Sequence, residues 1–197
     1  MLYVYFDNVM QNNNLNKISA EIGTKIIFLD FDGVLNNSEY HTRLSKSGNP
    51  TSDKYGELFD PSAIERLNRI VDATGAQIVV SSSWRYLGLR QLKEMWKARG
   101  LHGEIIDMTS LHAVDDIIME KSLDWLENSA CGDDMPTPRS MEITHWLQNK
   151  GCISPIKYVI LDDMPMPTQL QPHFVQVNPD YGLLEQQAER AIEILNA

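Results

Sequence analysis

Short apolar runs alternate with amphipathic stretches along most of this chain, and that alternation predicts an α/β protein. Lys25 to Phe31 (KIIFLDF) is a short, Ile-containing apolar run that leads into Gly33. Continuous apolar character, without strict alternation, is the mark of a strand buried on both faces. Gln77 to Val80, Glu104 to Met108, Tyr158 to Leu161 and Phe174 to Val177 read as four further strands. Between the first two, Ile64, Leu67, Ile70 and Val71 recur at helical spacing up to Gly75. Asp60 caps that helix and Pro61 suits its first turn. Leu89 to Ala98, Arg139 to Asn149 and Leu184 to Leu195 read as the other helices, with Ile143, Trp146 and Leu147 on one buried face.

Strands alternating with helices imply an open, mainly parallel, five-stranded sheet with helices on both faces. Residues 1–22 read as an N-terminal extension in which Asn12, Asn13 and Asn14 mark a turn, and 23–197 as a single domain. Two insertions interrupt it. The stretch from about 36 to 60 is polar, with Gly48, Pro50 and Gly56, and reads as a long loop or small flap. The stretch from about 111 to 138 is the least regular. Both are too short for a large cap domain.

Composition narrows the class. With 43% hydrophobic and 22% charged residues over 197 positions, the chain has globular composition and enough length for a substantial core. No run approaches the roughly 18 apolar residues of a membrane span, so no membrane association is expected. Met1 to Phe6 lacks a basic leader, and the only cysteines are Cys131 and Cys152. A reduced, cytoplasmic protein is the expectation. A net charge of −10 opposes general nucleic-acid binding. The charge is uneven: Arg85, Arg90, Lys93, Lys97 and Arg99 face only Glu94 between Trp84 and Gly100, and acids dominate from Asp107 to Asp134. These runs are solvated faces, or the basic one guides a phosphorylated substrate.

Three apolar runs end on polar residues: Asp30 with Asp32, Ser81 with Ser82 and Ser83, and Asp162 with Asp163. In open α/β sheets ligands bind beyond the carboxyl ends of the strands, so these side chains should converge. Gathered carboxylates repel unless a cation or protons neutralise them. Oxygen ligands without clustered His or Cys suit Mg²⁺. A carboxylate such as Asp30 can attack phosphorus and form an aspartyl-phosphate. Asp32, two residues on and on the same side of an extended chain, could protonate the leaving oxygen and later activate water.

The segment Ile27-Phe28-Leu29-Asp30-Phe31-Asp32-Gly33-Val34-Leu35 resembles the first motif of the haloacid dehalogenase (HAD) superfamily. Ile78-Val79-Val80-Ser81, a basic residue before a helix, and Ile160-Leu161-Asp162-Asp163 follow in that family's order. The run Val80-Ser81-Ser82-Ser83-Trp84-Arg85, with Arg139 ahead of Glu142-Ile143, is most similar to the HAD domain of Swiss Army Knife RNA repair proteins. The resemblance spans about residues 24–180 and implies a Rossmann-like HAD fold. It implies a Mg²⁺-dependent phosphomonoester hydrolase with Asp30 as nucleophile and Asp32 as general acid/base. Ser81 or Ser82 would hold the phosphoryl oxygens, and Arg139 would supply positive charge where most members carry Lys, with Lys121 as the alternative. Asp30, Asp32 (through its carbonyl), Asp162 and Asp163 would hold the metal. Arg85 could stack on a base or grip a second phosphate, or pack as an amphipathic side chain. Nucleic-acid ends and nucleotides are the implied substrates, with no protein partner. The competing expectations are a phosphoprotein phosphatase and a non-catalytic, phospho-accepting or regulatory domain.

Overall fold

The computed structural model describes residues 25–115, 117, 136–150 and 156–197. The 1–22 extension, Lys121, Trp125, both cysteines and most of the 111–138 insertion lie outside the described residues. In chain order the elements are β1 (Lys25–Leu29), α1 (Ser38–Lys46), β2 (Ser52–Asp53), β3 (Gly56–Glu57), α2 (Pro61–Thr74), β4 (Gln77–Val80) and α3 (Gly88–Ala98). They continue as β5 (Ile105–Met108), α4 (Pro138–Lys150), β6 (Lys157–Asp162), β7 (Phe174–Gln176) and α5 (Glu185–Asn196), with 3₁₀ turns at Ser83–Leu87 and Thr168–His173.

Five strands form one sheet in the order β5-β4-β1-β6-β7, and all four pairings are parallel. The apolar run of β1 takes the centre because Ile26, Ile27, Phe28 and Leu29 are all fully buried. Each such side chain contributes about 1.5–3 kcal/mol of hydrophobic stabilisation, so no edge position would suit this strand. Alternate residues serve opposite layers. Ile27 and Leu29 pack with Leu67 and Ile70 of α2, Leu92 and Met95 of α3, and Ala188 and Leu195 of α5. Ile26 and Phe28 pack with Ile143 and Trp146 of α4, where Phe28 meets the Trp146 ring edge-on at 5.3 Å. The expected sheet and two-sided helix cover are therefore present. Among the described residues no helix is long and apolar enough to cross a membrane.

Helix α2 begins and ends on its predicted signals: Asp60 accepts from the Ser62 N–H at 3.0 Å, and Gly75 closes it at φ 67°. The 36–60 stretch differs from the expected loop. It contains α1 and a two-stranded antiparallel ribbon of β2 and β3. No residue of α1 is buried, so the sequence shows no apolar periodicity there. The helix is held by backbone bonds from Ser38 and Glu39 to the carbonyls of Pro179 and Asp180, and Asn37 caps Tyr40 at 2.8 Å.

Candidate active site

Strand order places the candidate residues. β1 and β6 are neighbours with Leu29 opposite Leu161, and the chain leaves β1 toward β4 on one side while β6 lies on the other. The crevice at such a reversal is where open α/β sheets bind ligands. Backbone bonds carry the ladder to its rim: Asp30 N–H to Leu161 O at 3.0 Å, Ser81 N–H to Leu29 O at 2.9 Å, and Thr109 N–H to Val80 O at 2.9 Å. Asp30, Ser81 and Asp162 are thereby brought level on adjacent strand ends.

Asp30 is 4% exposed. Its Oδ1 accepts from the Phe31 N–H at 2.6 Å, and its Oδ2 accepts from Arg139 Nη2 at 3.0 Å. Arg139 stands at the start of α4 and also brings Nε to 3.2 Å from Asp162 Oδ2. That second approach is an ion pair without hydrogen-bond alignment, since Asp162 Oδ2 is buried with no hydrogen-bond partner. The other oxygen, Asp162 Oδ1, accepts from the Met164 N–H at 2.9 Å. One guanidinium thus bridges the acids of the two central strand tips.

The electrostatics follow from burial. Asp162 is fully buried, and desolvation together with the neighbouring Asp30 charge pushes its carboxyl from the ordinary 3.8 to about 7. Burial raises Asp30 too, against the pull of Arg139 and of a hydrogen bond with Ser82. Asp163 is raised for the same first cause, less deeply buried and with Asp32 as a nearby negative charge. Carboxylates raised together by desolvation and mutual repulsion at a cleft are a functional-site signature.

Asp30, Asp162 and Asp163 each offer an oxygen, and the three atoms lie within 4.8 Å of one another. An all-oxygen donor set with an unpartnered buried oxygen fits a hard divalent cation such as Mg²⁺. The Asp32 carboxylate is not part of that group. It is exposed and held by three other side chains: Oδ1 accepts from Trp84 Nε1 at 2.9 Å and Asn36 Nδ2 at 2.8 Å, and Oδ2 from Ser83 Oγ at 2.9 Å. Beside it runs a groove of about 520 Å³ lined by Asp32, Asn36, His41, Glu57 and Pro179 among others.

Residues 26–188 match the family described as the HAD domain in Swiss Army Knife RNA repair proteins. The chain belongs to this family. No curated protein and no solved structure gives a significant match. The five-stranded parallel sheet is that of a Rossmann-like HAD domain, and the candidate residues lie along it in this order: Asp30 after β1, Ser81 after β4, Arg139 on α4 and Asp162 ending β6.

Of the two alternatives the sequence left open for Arg85, this HAD domain takes the packed one. Arg85 does not face the cleft as a phosphate grip or a stacking surface. It is 5% exposed and points inward, giving Nε to Ser82 O at 2.6 Å, Nη1 to Thr109 Oγ1 at 2.6 Å and Nη2 to Glu142 Oε1 at 3.1 Å. Its charge is spent on the buried Glu142, which also stands 4.0 Å from Arg139 Nη1. Trp84 is packed against Phe31 and Phe59, and its indole N–H reaches Asp32. Asn36, Thr109 and Glu142 were not among the candidate site residues. Ser83 was grouped with the Ser81 strand end, and its hydroxyl meets Asp32.

Ser81 and Ser82 are both fully buried. Ser81 Oγ has no hydrogen-bond partner, whereas Ser82 bonds Asp30 and accepts weakly from the Trp84 N–H at 3.4 Å.

Proposed function

We propose that this HAD domain is a Mg²⁺-dependent phosphomonoester hydrolase that works through an aspartyl-phosphate on Asp30. The observation that carries the reading is the Arg139 bridge between Asp30 and Asp162, beside a third acid, at the switch point of the sheet. A structural ion pair would need one carboxylate. Several carboxylates and one guanidinium leave net negative charge for a cation or protons to offset, and the all-oxygen donor set suits a cation.

Asp30, Asp162 and Asp163 would hold the metal with the Asp32 carbonyl, and the ion would neutralise charge on the transferring phosphoryl group. The chain's own groups do the rest. An oxygen of Asp30 attacks phosphorus as the bond to the leaving oxygen breaks, and Asp32 delivers a proton to that oxygen. Water then attacks phosphorus, Asp32 takes its proton, and the Asp30–phosphorus bond opens to restore the carboxylate. Arg139 presents charge beside Asp30 throughout. The unpartnered Ser81 hydroxyl is a donor for a phosphoryl oxygen, with Ser82 beside Asp30 as the alternative.

The substrate we propose is a phosphate on a nucleic-acid end or a nucleotide, in keeping with the family's description and with insertions too short for a large cap. The experiment is phosphate release from 4-nitrophenyl phosphate and from 3′- and 5′-phosphorylated oligonucleotides, with and without Mg²⁺. Asp30→Asn should abolish release. Wild-type rates in that variant, or a stable phospho-enzyme without turnover in the wild type, would replace the hydrolase reading with a contaminant or a phospho-accepting domain.

A further inference from the structure

We propose that Trp84 is a positioning residue for the reaction, acting through Asp32 by holding Oδ1 and so fixing the orientation in which Oδ2 faces the reacting groups. The inference rests on the assignment of Asp32 as acid/base and adds residues to it.

Two donors meet at Asp32 Oδ1: the indole N–H of Trp84 at 2.9 Å and the amide of Asn36 at 2.8 Å. Neither can change role. Indole nitrogen is a donor only. The orientation of the Asn36 amide is set independently, because its own Oδ1 accepts from the Gly33 N–H at 3.1 Å, leaving Nδ2 for Asp32. An oxygen facing two obligate donors has no room for a hydrogen of its own. Among the described residues Oδ2 meets the Ser83 hydroxyl alone, at 2.9 Å, and that hydroxyl rotates and can donate or accept. The proton passed to the leaving oxygen, and the proton later taken from water, therefore travel through Oδ2.

The surroundings keep the indole in place. Trp84 is 6% exposed, its ring edge-on to Phe31 at 5.7 Å and tilted against Phe59 at 5.5 Å. Arg99 lies over it at 5.4 Å while binding Asp53 of β2 at 2.8 Å. A Cβ at Gly56 would meet the indole at 2.8 Å, so the β2–β3 ribbon closes directly on the ring. Such confinement turns a single N–H into a fixed directional constraint on a carboxylate that is otherwise exposed.

Leaving-group dependence tests this. An alkoxide needs a proton to depart, whereas 4-nitrophenolate does not. Trp84→Phe keeps most of the packing and removes the donor, and kcat/KM reports the steps up to phosphoryl transfer. We expect kcat/KM for an alkyl phosphomonoester to fall about tenfold or more and for 4-nitrophenyl phosphate no more than about threefold, with Asp32→Asn showing the same pattern at about a hundredfold or more. Equal losses on both substrates, or none on the alkyl ester, would overturn the role of Trp84 while leaving Asp32 as the acid. Absence of the pattern in Asp32→Asn would instead remove the acid/base assignment, and the proposal with it. Should Trp84→Phe fail to fold by circular dichroism, Asn36→Ala strips the same oxygen and is read by the same ratio.

Discussion

Arg85 Nη1 and Glu142 Oε2 stand 2.8 Å apart beneath the candidate active site, with only 5% and 10% of their side chains exposed. The pair ties the turn after β4 to α4, the helix that carries Arg139. Breaking one partner of a buried pair leaves an uncompensated charge and costs about 3–5 kcal/mol. Arg85→Ala should lower the unfolding free energy by that order in a urea titration. Arg85→Met combined with Glu142→Leu should cost less than Arg85→Ala alone, since no buried charge is then left unpaired.

Arg139 is the cation nearest Asp30 among the groups that shift its carboxyl. Removing it withdraws charge from the transferring phosphoryl group and leaves Asp30 and Asp162 facing each other. Arg139→Ala should reduce kcat about 10²-fold or more, the scale of losing one preorganised electrostatic contact. Arg139→Lys should recover part of that loss, because a point charge can approach one carboxylate but not fork between two. Steady-state kinetics at saturating Mg²⁺ check both.

The raised carboxyl of Asp162 makes stability depend on pH. Its folded value, about 7, lies above the ordinary 3.8, so between those limits the folded state binds more protons than the unfolded chain. Stability from this group is present below about pH 4 and lost as pH rises toward 7. Without divalent cations, thermal unfolding should shift to lower temperature between pH 5 and pH 8. Asp162→Asn should flatten the dependence and raise the melting temperature at pH 8.

Magnesium should reverse that trend. A ligand that binds only the folded state stabilises in proportion to the logarithm of its concentration once sites fill. Melting temperature at pH 8 should rise with Mg²⁺, EDTA should abolish phosphate release, and Asp163→Asn should need more Mg²⁺ for half-maximal activity. Unchanged melting across a Mg²⁺ titration would count against the metal site.

Gly33 adopts φ 72°, and a Cβ there would come within 2.8 Å of Asp163 Oδ2 and 3.0 Å of Pro179. A left-handed backbone costs a residue with a Cβ about 1–2 kcal/mol before any clash. Gly33→Ala should destabilise by at least that much in denaturant unfolding and weaken Mg²⁺ binding by displacing Asp163.

Acids and hydroxyls at the ends of apolar runs were legible in the chain itself. A strand's direction and its last residue are local properties, and parallel pairing then brings Asp30, Ser81 and Asp162 to one rim. The helix over 38–46 was not legible, because a helix that buries nothing leaves no apolar period to read. The role of Arg85 stayed open for a related reason. Its partners Thr109 and Glu142 lie 24 and 57 residues away, and a basic residue next to a serine run looks the same whether it turns inward or toward a phosphate.

Local chemistry, then, was enough to name the carboxylates and the succession of the sheet's strands along the chain. Which charges remain available to a substrate was decided by packing between distant segments. Arg139 reaches two carboxylates because α4 crosses the rim. Arg85 does not, because a buried Glu142 takes its charge. Asp32 meets an indole 52 residues away only after β4 has paired with β1. Hydrogen bonds and ion pairs act over a few ångströms whatever the separation along the chain, so their partners exist only once the fold has formed.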